Sequence, residues 1–199
     1  MAHQEATIKM AVRKVLQATD PQGEAVLRRR SNKVKVFDPA LQRLADDMIE
    51  TMHAHNGVGL AAPQVGVLQR IVIVELSAEK GEDEDAPRRP GQRFIFCNPE
   101  ITWQAEELQV GEEGCLSLAG WYAQVPRALG VEVRYQDLQG KRRKMRVEGY
   151  LARILQHELD HLEGILFTDQ IEDLATLVRL TQDGEEPVPA GLVPPSRRT

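Results

Sequence analysis

Two long stretches of the chain place apolar residues at helical spacing. Leu41, Leu44, Ala45, Met48, Ile49 and Met52 recur at i, i+3, i+4, i+7, i+8 and i+11, while Gln42, Arg43, Asp46, Asp47 and Glu50 take the other side. This pattern predicts an amphipathic helix of about four turns with one face on a core. Asp38-Pro39 provides an N-cap carboxylate and a proline at the first helical position, and Asn56-Gly57 provides the stop. A second helix is expected from about Tyr150 to Glu163, anchored by Leu151, Leu155 and Leu162 and ended by Gly164. Between the two helices the pattern changes. Ile71-Val72-Ile73-Val74 is the centre of a buried strand over 70–76, Phe94 to Ile101 a second strand, and Leu108-Gln109-Val110 a short third. Leu129, Val131, Val133 and Tyr135 alternate with Gly130, Glu132, Arg134 and Gln136. With a turn at Gln139-Gly140 and a return over Lys141 to Val147, they predict a hairpin.

The remainder is less patterned. Residues 1–9 read as a flexible tail, and Arg13 to Phe37 as loop-rich. Residues 77–92 read as a charged surface excursion, and Asp169 to Leu180 as a short helix. The proline-rich end makes 173–199 a largely disordered extension of a catalytic domain over 10–172. The expected class is α+β, with mixed and antiparallel β-strands packed around a central helix, plus an N-terminal amphipathic helix.

Composition narrows the function. The 199 residues are 42% apolar and 28% charged, which fits one soluble globular domain. A net charge of −5 argues against DNA as a partner. Cys97 and Cys115 are too few for a disulfide scaffold, and Cys97 lies in an apolar run as a core thiol. Neither a secretory signal nor an apolar run of about 18 residues is present, so no membrane partner is expected and the expected location is the cytoplasm. Arg28-Arg29-Arg30 reads as a solvated loop. Lys141 to Arg146 reads as a solvated strand face, with an RNA surface as the alternative. His53 and His55 suit the C-terminal end of a helix dipole without further function.

The chemistry concentrates in Gln156-His157-Glu158-Leu159-Asp160-His161. Four residues of helix advance the chain by about 400°, so His157 and His161 share one face, one turn apart, and can chelate one metal ion. Glu158 lies near enough to take a proton from water at that ion. A catalytic site needs a third protein ligand. A metzincin would place a histidine where this chain has Phe167. A thermolysin-type enzyme would use a glutamate about twenty residues beyond the second histidine, where only Glu185 and Glu186 of the tail are available. Cys115, in Glu112-Glu113-Gly114-Cys115-Leu116-Ser117, offers a thiolate, and Cys/His/His with an open position is a catalytic donor set.

Three motifs in order then make a resemblance specific: Gly57-Val-Gly-Leu-Ala-Ala-Pro-Gln64, Glu113-Gly-Cys-Leu-Ser117 and Gln156-His-Glu-Leu-Asp-His161, with Val125-Pro126-Arg127 after the second. Over about residues 10 to 172 the chain resembles the peptide deformylases. The resemblance implies one divalent metal ion on Cys115, His157 and His161, natively Fe²⁺ and replaceable by Zn²⁺, Ni²⁺ or Co²⁺. It implies Glu158 as the base that activates water against the formyl carbon of N-formylmethionyl nascent peptides and then protonates the departing amine. Gln64 and the Leu116 backbone N–H would hold the oxyanion. Val58, Gly59 and Gly114 would bind the peptide main chain as an added strand, and Val58, Tyr150, Ile154 and the His157 ring would line the methionine pocket. Asp160 would bind Arg127 or orient a ligand. The ribosome near the exit tunnel is the second partner that the resemblance suggests. The rival reading is a zinc endopeptidase. Three positions depart from the family's common pattern: Ala119 replaces a proline, Tyr122 replaces an arginine that touches the peptide, and the tail lacks a long basic helix.

Overall fold

A computed structural model of the chain describes residues 11–76, 91–181 and 184–187. The expected tail and most of the charged excursion fall outside those residues. The described residues hold three α-helices and nine strands, and the strands form two antiparallel sheets. The helices are α1 (Pro21–Leu27), α2 (Pro39–Ala54) and α3 (Gly149–Glu163). The first sheet has the order β1 (Gly59–Ala61), β2 (Ile71–Leu76), β3 (Gln92–Gln104), β6 (Gly130–Gln136), β7 (Arg142–Glu148). The second has the order β4 (Leu108–Cys115), β5 (Leu118–Ala128), β8 (Val178–Thr181), β9 (Gly184–Pro187). All named strand pairs are antiparallel. The mixed sheet expected from sequence is reduced to one isolated parallel bridge, Asn32 with Gln69.

The two faces of the first sheet explain the two long periodic helices. Leu41, Leu44, Met48 and Met52 of α2 pack with Leu60, Ile71, Ile73 and Cys97. On the other face, Ile154, Leu155, Leu159 and Leu162 of α3 pack with Val72, Val74, Phe96, Val131 and Val133. Successive residues at the centres of β2 and β3 thus enter opposite cores, which is why Ile71 to Val74 and Phe94 to Cys97 are unbroken apolar runs. Asp38 caps α2 by accepting from the N–H groups of Ala40 and Leu41. Gly164 ends α3 in a left-handed conformation at φ 76°, where a Cβ would lie 2.4 Å from the Arg28 carbonyl oxygen.

Four expectations need correction. The loop-rich stretch holds α1, started by Asp20 and Pro21, but its only large buried side chain is Leu27, so no apolar period betrays it. The short third strand is eight residues long and ends at Cys115, with the unanticipated eleven-residue β5 as its partner. The helix expected over Asp169 to Leu180 is replaced by 3-10 turns at Phe167–Gln170 and Leu174–Thr176 followed by β8. There Leu177 is buried against Trp121 and Phe167, and β8 pairs with β5, so the extension taken as disordered continues the second sheet as far as Pro187. The arginine run is a largely solvated loop as expected, with Arg29 and Arg30 exposed, though Arg28 also pairs with Asp169 and Arg30 with Glu163. The basic face of β7 is exposed as expected, with Lys144 on Glu132 and Arg143 on Asp137. Among the described residues, no helix is long and apolar enough to cross a membrane.

Candidate metal centre and cleft

One edge strand of each sheet, β1 of the first and β4 of the second, borders a shared cleft of about 560 Å³. Val58, Gly59, Gln64, Gly114, Cys115, Leu116, Tyr150, Ile154, His157 and Glu158 all line it. His161 completes the set from beneath: the ligand atoms of Cys115, His157 and His161 lie within 4.8 Å of one another. Tyr150 stands at the mouth, 59% exposed. His53 hydrogen-bonds to Glu75 away from the cluster, whereas His55 lines the cleft.

Two elements place the three donors, β4 for Cys115 and α3 for both histidines. Cys115 is the last residue of β4, where a shift of register brings it opposite Leu118 at the β4–β5 turn. One helical turn separates the imidazoles, with ring centroids 5.1 Å apart. His161 Nε2 lies 3.2 Å from Cys115 Sγ. His157 Nδ1 lies 2.9 Å from Glu113 Oε2, so the imidazole donates there and keeps Nε2 for the cluster. Phe167 stacks on the His157 ring at 6.0 Å and an interplanar angle of 23°, so its part here is packing. Gln156 binds the Ala128 carbonyl and N–H, which fixes α3 against the end of β5.

Gln64 is aimed by one bond. Its Oε1 accepts from the Ala61 N–H at 2.7 Å, which turns Nε2 toward Cys115 Sγ at 3.5 Å. Glu158 lies under β1, where a Cβ on Gly59 would fall 2.4 Å from Oε1. Burial pushes its carboxyl up to about 7, with the nearby Glu113 adding to the rise and His157 opposing it. Its Oε2 is buried without a hydrogen-bond partner among the described residues.

Glu113 carries a role that the sequence reading left unassigned. Arg127 grips it with Nε at 2.9 Å and Nη2 at 3.0 Å, and Arg153 Nη1 adds a third bond at 2.8 Å. Arg127 also binds Asp160 at 2.6 Å. Burial opposes the Glu113 charge, but the hydrogen bonds from His157 and Arg127 outweigh it and hold the carboxyl at about 2. Burial likewise opposes charge on His157, yet its bonds to Cys115 and Glu113 lift it well above the ordinary range. Burial and the charge of His157 hold His161 well below that range. Positive charge is therefore favoured between Cys115 and Glu113, and a thiolate with two imidazoles is a donor set that fits a first-row divalent cation. Period two along β4 puts Glu113 and Cys115 on one face, and the i, i+4 relation does the same for Arg153 and His157. Those were the sequence signals for both residues.

The comparisons with known proteins agree with this geometry. The family model described as polypeptide deformylase matches residues 12–176. A peptide deformylase of Roseiflexus castenholzii is 46% identical over 186 residues, covering 92% of this chain and all of the relative. One from Thermus thermophilus is 48% identical over 153 residues, 75% of this chain and 79% of its own. Among solved structures, the Met-Ala-Ser-bound class I type b peptide deformylase of Acinetobacter baumannii superposes with a TM-score of 0.71 at 38% identity, covering 82% of this chain and 100% of its own. The Synechococcus elongatus peptide deformylase in complex with actinonin gives 0.70 at 33% identity, covering 87% of this chain and 85% of its own. The chain belongs to the polypeptide deformylase family.

Proposed function

We propose that the chain removes the N-formyl group from N-formylmethionyl nascent peptides, releasing formate and a free amino terminus. The observation that carries this reading is the convergence of Cys115, His157 and His161 within 4.8 Å at the base of a cleft that Gln64 and Glu158 also line. Cys115, His157 and His161 would hold one divalent cation, Fe²⁺ in the cell with Zn²⁺, Ni²⁺ or Co²⁺ as substitutes. When bound, it supplies Lewis acidity that makes water a competent nucleophile near neutral pH. Glu158 takes a proton from the attacking water, oxygen bonds to the formyl carbon, and charge develops on the formyl oxygen. Gln64 Nε2, already turned toward the cluster, and the Leu116 N–H receive that charge. Glu158 then gives its proton to the amine nitrogen as the carbon–nitrogen bond breaks.

The edge strands β1 and β4 suit a peptide in extended form, because main-chain pairing at Val58, Gly59 and Gly114 ignores side-chain identity. Specificity then rests on Val58, Ile154, Tyr150 and the His157 ring around the methionine side chain. The catalytic domain is taken as 10–172 with β8 and β9 added to its second sheet, the site of action as the cytoplasm, and the ribosome near the exit tunnel as the place where substrate is met. A zinc endopeptidase is disfavoured because Phe167 stacks on His157 where a metzincin would place its third ligand. The test is release of formate from formyl-Met-Ala-Ser by protein loaded with Fe²⁺ without oxygen. Folded, metal-loaded protein that releases none refutes the reading.

A further inference from the structure

Among the described residues Arg153 is the one arginine or lysine that lines the cleft, and the reaction above has no use for it. It stands on α3 one turn before His157 and is only 5% exposed. Burying a guanidinium costs several kcal/mol unless its donors are paired. Here Nη1 donates to Glu113 Oε1 at 2.8 Å, to the Val125 carbonyl at 2.8 Å and to the Gly111 carbonyl at 3.2 Å, and Nη2 donates to the Gln109 carbonyl at 2.6 Å. The guanidinium lies so close to β4 that a Cβ on Gly111 would meet Nη2 at 3.0 Å and Cζ at 3.1 Å. One cation therefore joins α3 to both strands of the β4–β5 hairpin and to the carboxylate behind His157.

The two oxygens of Glu113 divide their donors. Oε1 accepts from Arg127 Nε and Arg153 Nη1, and Oε2 accepts from Arg127 Nη2 and His157 Nδ1. We propose that Arg153 is a positioning residue of the metal centre. By taking the second donor place at Oε1 while braced on β4, it fixes the plane of Glu113 so that Oε2 meets His157 Nδ1–H and Nε2 stays on Cys115 and His161. Groups that orient a ligand imidazole in this way change metal affinity by about 10–100-fold when removed. The inference rests on the deformylase reading only for the reaction; its own content is retention of the ion.

The test compares zinc-loaded wild type, Arg153→Met and Arg153→Lys. The rate of Zn²⁺ transfer to a chromogenic chelator is read beside Tm, kcat and KM, with and without methylguanidinium. Arg153→Met is expected to release zinc about 10–100-fold faster, with kcat falling more than KM rises and methylguanidinium slowing release. Arg153→Lys reaches Glu113 but cannot also brace on three carbonyls, so it too is expected to release zinc faster than wild type. A folded Arg153→Met with the wild-type release rate overturns the proposal. If that variant does not fold, Arg153→Lys with a lowered Tm and the wild-type release rate overturns it equally. Wild-type protein that holds zinc yet releases no formate once loaded with Fe²⁺ would refute the deformylase reading, and the zinc-release comparison would still decide the role of Arg153.

Discussion

A single methyl group at Gly59 tests whether the placement of Glu158, beyond its presence, sets the rate. The added Cβ would lie 2.4 Å from Glu158 Oε1, 2.9 Å from Cδ and 3.0 Å from Cγ, where ordinary contact begins at 3.4 Å. Relief needs a displacement of 3.4 − 2.4 = 1.0 Å between β1 and the carboxylate. Glu158 is 4% exposed and has little room to move aside. The strand above it is held by its ladder to β2, with Gly59 opposite Val74 and Ala61 opposite Val72. Overpacking of this kind costs about 1–3 kcal/mol, and in a chain of this size Tm falls by about 2–4 °C per kcal/mol. Misplacing a catalytic group by about 1 Å costs on the order of 100-fold in rate. Gly59→Ala should therefore fold with a lowered Tm, bind one metal ion per chain, and lose about 100-fold in kcat. Formate release, thermal unfolding and metal content measured on one preparation check this. Full kcat with unchanged Tm would show that the carboxylate is not held under β1, and the argument for its placement would fail.

Glu158→Ala should retain the ion, because it leaves Cys115, His157 and His161 untouched, yet lose turnover by several orders of magnitude; metal content beside formate release decides. Glu113→Gln should destabilise the metal-free protein by about 3–5 kcal/mol at neutral pH, since it strips the charge partner from two buried arginines. Glu113 titrates at about 2 against an ordinary 4.5, so its contribution is complete above 4.5 and lost as pH falls toward 2. The gap between wild type and Glu113→Gln in urea unfolding should accordingly be flat above pH 4.5 and close below it; a gap that widens toward acid would contradict the assignment. Burial raises the Cys97 thiol to about 12, so in the folded, metal-free protein a disulfide reagent at pH 8 should label Cys115 alone, and Cys97 only after denaturation. Peptide mapping of the labelled protein checks which thiol has reacted.

The helices α2 and α3 were legible because each repeats its apolar period over about four turns, with Asp38 marking the start of α2 and Gly164 the end of α3. The short α1 was not, although Asp20-Pro21 is the same start signal as Asp38-Pro39. With seven residues and one large buried side chain, it is held by its surroundings. Strand β5 was hidden by Gly120 and Pro126 and by a polar-apolar mixture that makes sense only with β4 on one side and β8 on the other. The three metal donors could be chosen by chemistry alone. Glu113 and Arg153 could not, because their value depends on β4 facing α3, and that depends on contacts between residues about forty apart in sequence.

The helix α3 carries two donors and the base within five residues, so those three groups move as one body. Cys115 belongs to the other sheet, 46 residues away from His161. A cation on all three donors is therefore a clasp across the seam between the sheets, on which the width of the groove depends. A peptide that wedges β1 and β4 apart would loosen the ion. One that draws them together would tighten it, and the ion would tighten that peptide by the same factor. Exchange of the ion thus becomes a gauge of how each substrate seats, even for peptides that are never cleaved.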